Sequence, residues 1–89
     1  MIIVRFYGYY REALNIEKME IGRAETLRDV LEKLRELLGE KSNILFERGR
    51  LKKELLLAVN STIVKSDDVE GKKIFDGDII SIMPLPSGG

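Results

Sequence analysis

A chain of 89 residues has room for one hydrophobic core and not two, since a domain of this size buries roughly 60 to 70 per cent of its unfolded surface in making a single core. Fifteen basic residues balance fifteen acidic ones, so no net field gathers a nucleic acid or an anionic membrane. The absence of Cys and His removes thiol nucleophiles, disulfides, imidazole acid–base catalysis and the usual ligand sets for zinc, haem and iron–sulfur clusters.

The opening Ile2-Ile3-Val4-Arg5-Phe6-Tyr7 is β-branched and aromatic and closes at Gly8, which predicts a strand. If Arg5 faces water, Ile3 and Tyr7 share its side, and Ile2, Val4 and Phe6 enter the core. Glu17 to Ile21 alternates polar and apolar residues and predicts a second strand, with Gly8 to Asn15 as a connecting hairpin loop.

From Thr26 the period lengthens. Leu27, Val30, Leu31, Leu34, Leu37 and Leu38 fall on one helical stripe, opened by a Thr26/Asp29 capping box and stopped by Gly39. Glu40 to Glu54 mixes charges with Gly49 and the apolar anchors Ile44, Leu45 and Phe46, as expected of a loop or short helix at the sheet edge.

Leu55 to Val59 reads as a buried strand, turned at Asn60-Ser61 into a short return over Ile63-Val64-Lys65. Asp76-Gly77-Asp78 marks another tight turn, after which Ile79 to Leu85 predicts the last strand. The order strand, strand, helix, strand, short strand, strand implies an α+β fold of the ubiquitin-like β-grasp type, a mixed sheet of four to five strands with one main helix packed on one face. The folded domain is expected over residues 1–84, with 85–89 as an extended diglycine tail.

The expected chemistry sits in that tail. Pro84-Leu85-Pro86-Ser87-Gly88-Gly89 leaves the last strand through two prolines that cannot donate to a ladder. Six extended residues reach at most about 20 Å, and terminal glycines let a narrow channel close around the backbone. A carboxylate so presented suits adenylation by another protein. On the last strand, outward parity set by Ser81 also exposes Met83 and Leu85; with Tyr7 and Ile63 these form a candidate docking patch. No N-terminal leader pattern is read, and the longest purely apolar run, Leu55 to Val59, is too short to cross a bilayer, so a cytoplasmic protein without membrane contact is expected.

The opening strand followed by Arg11-Glu12, then Leu56-Leu57-Ala58-Val59-Asn60, Asp76-Gly77-Asp78 and the closing Pro84 to Gly89, taken in order, resemble the MoaD/ThiS family of ubiquitin-like sulfur carriers. Within it the chain looks most like the MoaD branch, the small subunits of molybdopterin synthase. The resemblance implies a carrier and not an enzyme. An ATP- and Mg-dependent adenylyltransferase of the ubiquitin-activating type would adenylate Gly89, and a sulfur donor would convert the acyl-adenylate to a thiocarboxylate. Gly88 would admit the end to both active sites, with Leu85, Pro86 and Ser87 leading in. Tyr7, Ile63 and Met83 fall where the family contacts the large molybdopterin synthase subunit, which would accept the sulfur for the dithiolene of a molybdenum or tungsten cofactor. No cofactor or metal is expected on this chain. The same activated carboxylate also fits a protein modifier conjugated to lysines, and thiamine or tRNA sulfur supply stays open.

Overall fold

Ile2, Val4 and Phe6 alternate with Ile3 and Arg5 along β1 (Ile2–Phe6), and burial follows the alternation, the first three being sealed in the core. In this computed structural model, which describes residues 1–86, β1 pairs antiparallel with β2 (Lys18–Ile21) in the register Ile2 to Ile21 and Val4 to Met19.

The connection between them is a helix, α1 (Gly8–Leu14), and not the hairpin loop that the strand–Gly–strand pattern suggests. Tyr10 and Leu14, four residues apart, both turn into the core, and Asn15 closes the helix in the left-handed conformation with φ 58°. One short turn of apolar spacing is enough because the sheet end supplies the packing.

The main helix α2 (Leu27–Leu38) begins as its sequence dictates. The Thr26 hydroxyl accepts the Asp29 N–H at 3.1 Å, and the Asp29 carboxylate accepts the N–H groups of Thr26 and Glu25, each at 3.2 Å. Leu27, Val30, Leu31, Leu34 and Leu38 are buried, whereas Leu37 is 58 % exposed. The apolar stripe is thus one residue narrower than its spacing suggests, because position 37 rotates past the sheet's margin. Gly39 ends the helix at φ 57°.

Glu40 to Glu54 resolves into a 3₁₀ turn, Gly39–Ile44, and a small hairpin of β3 (Phe46–Glu47) and β4 (Arg50–Leu51). Arg48 and Gly49 at its tip take φ of 53° and 78°, the left-handed pair that a two-residue hairpin turn requires. β5 (Leu55–Val59) returns through Asn60 into β6, which is Thr62–Ile63 and not Ile63 to Lys65; Val64 leaves the strand, though its N–H still reaches the Leu57 carbonyl at 2.8 Å.

A 3₁₀ turn at Ser66–Asp68 precedes β7 (Ile79–Pro84), the central strand of a five-stranded sheet ordered β2-β1-β7-β5-β6. β7 runs parallel to β1 and antiparallel to β5, so the sheet is mixed. α2 covers one face, where Val4, Phe6, Ile80, Ile82, Leu57 and Val59 meet Leu27, Val30 and Leu34. This is the β-grasp arrangement. No helix among the described residues is long and apolar enough to cross a membrane.

Candidate functional site

Two features converge at one end of the sheet: the base of the C-terminal tail and an apolar sheet face that α2 leaves uncovered.

The tail base is built from β7, β5 and α1. Leu55 lies opposite Pro84 at the end of the β5–β7 ladder, and the Leu85 N–H donates to the Glu54 carbonyl at 3.2 Å, one bond beyond the last paired residue. Pro84 and Pro86 have no N–H to give, so Leu85 is the one donor among residues 84–86. On the β1 side, Gly8 at φ +54° lets the start of α1 approach Pro84 closely: a Cβ at position 8 would stand 3.1 Å from the Pro84 Cγ. Below, Tyr10 is buried, and its phenol is pushed above the usual tyrosine range by that burial and then by the Glu54 carboxylate. The chain is therefore flanked on both sides as far as Pro84, and bonded on the β5 side alone at Leu85.

The uncovered face follows from pairing parity. Tyr7 extends the parallel ladder by donating to the Ile82 carbonyl at 3.0 Å, which sets its side chain in the row of Met83 and Leu56. In the next row Arg5, Ser81, Ala58 and Ile63 stand side by side across four strands, and beyond it Ile3 adjoins Ile79. Tyr7 is 42 % exposed, Ile63 55 % and Leu85 48 %; Pro86 is exposed and Met83 half-buried. Ser81 has the outward parity expected of it but is only 8 % exposed, because the central position is walled by Arg5 and Ala58.

Tyr7, Met83 and Leu85 are thus gathered beside the tail base, and Ile63 lies two strands from Met83 on the same face. Ser87, Gly88 and Gly89 lie outside the described residues. Sequence reasoning missed Leu56, Ala58 and Ile79 on this face. A strand apolar at every position, as β5 is, hides its period, and the signal lies in its having no polar side to give to water. Arg11 and Glu12 face solvent on α1. A surface concavity lined by Met1, Gly22, Arg23, Asp29 and Lys33 lies at the opposite end of the strands from Pro84.

The ThiS family model matches residues 4–89, nearly the whole chain. The chain belongs to the ThiS family. This is the MoaD/ThiS group of small ubiquitin-like carrier proteins that the ordered motifs resemble. Solved structures with the same β-grasp fold include SAMP1 from Haloferax volcanii, 18 % identical with a TM-score of 0.81, covering 99 % of this chain and 98 % of that one. Mycobacterium tuberculosis CysO is 22 % identical with a TM-score of 0.74, over 94 % of this chain and 98 % of its own. The complex of subunits 1 and 2 of molybdopterin-converting factor from Helicobacter pylori contains a chain 24 % identical, with a TM-score of 0.69, over 99 % and 97 %. No curated protein sequence matches the chain. The ThiS-family fold is thus shared by chains whose names point to different destinations.

Proposed function

We propose that this ThiS-family chain is a sulfur carrier, adenylated at Gly89 by an ATP- and Mg-dependent activating partner, converted there to a thiocarboxylate by a sulfur donor, and emptied by a large molybdopterin synthase subunit in building the pterin dithiolene. The observation that carries this reading is the tail base: a central strand bonded to β1 as far as Ile82 and to the β5 side as far as Leu85, flanked by the open row of Tyr7, Met83 and Leu56. A partner seated on that row has the tail leaving at its own margin. The molybdopterin-converting-factor complex supports an assembly of this type.

Beyond Leu85 four residues remain, with a fully extended reach of at most about 14 Å. The chemistry then has to lie in a pocket close to the docking surface, and Gly88 and Gly89 suit a channel of backbone width. Phosphoryl and sulfur chemistry belong to the partners, since this chain brings neither thiol nor imidazole.

Co-expression with an activating enzyme and a sulfur source tests the reading. The expected product is a chain heavier by the difference between sulfur and oxygen, with Gly89→Ala losing that product while unfolding at the parent's denaturant midpoint. A parent chain without the mass gain, or a Gly89→Ala chain with full gain, overturns it.

The similarity to SAMP1, a small archaeal modifier protein by name, favours a second reading in which the same activated carboxylate is joined to lysines of target proteins. Gly-Gly remnants on lysines of digested cell protein are its expected signature, and their absence from cells that make the thiocarboxylate dismisses it.

A further inference from the structure

The outer edge of β2 carries its own recognition pattern. Ile3 and Tyr7 donate toward β7, to the carbonyls of Asp78 and Ile82, so the alternate residues Ile2, Val4 and Phe6 turn their backbone groups toward β2. Phe6 donates to the Glu17 carbonyl at 2.9 Å, and in the same register Val4 faces Met19 and Ile2 faces Ile21. The inward backbone groups of this strand are therefore those of Glu17, Met19 and Ile21. Those of Lys18 and Glu20 point outward, with no backbone partner among the described residues.

We infer that this edge pairs antiparallel with the same edge of a second copy of the chain, with Met19 on the two-fold axis. Only registers that set outward groups against outward groups close hydrogen bonds, which leaves those centred on Lys18, Met19 or Glu20 within the strand. Centring on Lys18 opposes lysine to lysine, and centring on Glu20 opposes glutamate to glutamate. Centring on Met19 opposes Lys18 to Glu20 twice, each a narrow pair exchanging both backbone bonds.

Two further observations agree. On the open face Lys18 stands directly opposite Arg5, a like-charge pair in which Arg5 has the Glu17 carboxylate 4.0 Å away. Glu20 of the second copy arrives on the other flank of Lys18 and offsets that repulsion. On the covered face Met19 is half-buried at the rim of the core and meets its own counterpart.

A lysine edge alone repels most strands. A Lys-x-Glu edge admits its own reversed copy. The product is one continuous sheet with both open faces on the same side, and with the two β7 strands, hence the two tails, pointing in opposite directions. Short edge strands bury little surface, so the contact belongs to the weak, reversible class.

Sedimentation equilibrium of the intact chain up to roughly 1 mM tests this, that being the range in which a weak contact becomes populated. The parent's average mass is expected to rise toward that of a dimer. Lys18→Glu alone and Glu20→Lys alone each bring like charges together and stay monomeric, while their equimolar mixture forms a heterodimer containing one of each. Lys18→Pro removes an outward N–H that the intramolecular ladder does not use, so it keeps the fold, checked by circular dichroism, and loses the dimer. A parent monomeric throughout, single variants that dimerise like the parent, or a mixture that stays monomeric overturns the proposal.

Discussion

A side chain at position 8 has two penalties to meet at once: a left-handed backbone with φ +54° and a Pro84 ring 3.1 Å from where its Cβ would stand. Gly8→Ala is expected to destabilise the fold by about 1–2 kcal/mol, read as a lower urea midpoint at unchanged slope. Faster hydrogen exchange at the Leu85 amide is the local sign that the tail base has loosened. Met83 belongs to a different economy, standing half-buried between Tyr7 and Leu56 on the open face. Met83→Asp is expected to weaken binding to a large synthase subunit at least tenfold, about 1.4 kcal/mol, while adenylation of the tail stays near the parent's. Equal binding by variant and parent would remove this row from the docking surface. Tyr7 and Met83 were legible in the sequence because Arg5 and Ser81 betray the parity of their strands. Leu56 was not, since its neighbours on both sides are leucines.

The elements divide by how much of their stability is local. α2 declares itself through Thr26, Asp29, Gly39 and a run of correctly spaced leucines, each of which acts within a few residues. Thr26→Ala is expected to cost about 1 kcal/mol in thermal or urea unfolding. The Asp29 carboxyl is held below its usual range by hydrogen bonds, first from the Glu25 backbone and then from the Thr26 side chain. A carboxyl with a depressed folded pKa stabilises above its unfolded value and loses that contribution as pH falls through the folded one. The parent should therefore lose its advantage over Asp29→Asn in acid and keep it at neutral pH, and a gap that does not narrow in acid would contradict the capping role. α1 and the β3–β4 hairpin were not legible, for a common reason. Tyr10 and Leu14 give α1 one apolar repeat, and β3 and β4 have two residues each, so tertiary packing decides what no periodicity can announce.

At the scale of the molecule, layer order was legible because the change from period two to period 3.6 and back leaves one helix to cover one face of one sheet. What the pattern could not supply was the rotation of that helix over the sheet, and Leu37 shows it. Leu34 is sealed beneath α2 and Leu37 is in water, although both fit the stripe. Leu34→Ala is expected to cost about 2–5 kcal/mol and Leu37→Ala within about 0.5 kcal/mol, a contrast that paired chemical denaturation curves resolve. Equal losses would return Leu37 to the core.

The placement of β7 has a mechanical side. Any partner that draws on the tail pulls along this strand, at right angles to the hydrogen bonds that tie it to β1 on one flank and β5 on the other. Both seams are then loaded in shear and must yield together, whereas an edge strand tugged from its end would peel one bond at a time. On the proposed reading the domain would act as a stopper, halting at the mouth of the pocket that takes the tail, with the pull borne by the two seams of β7.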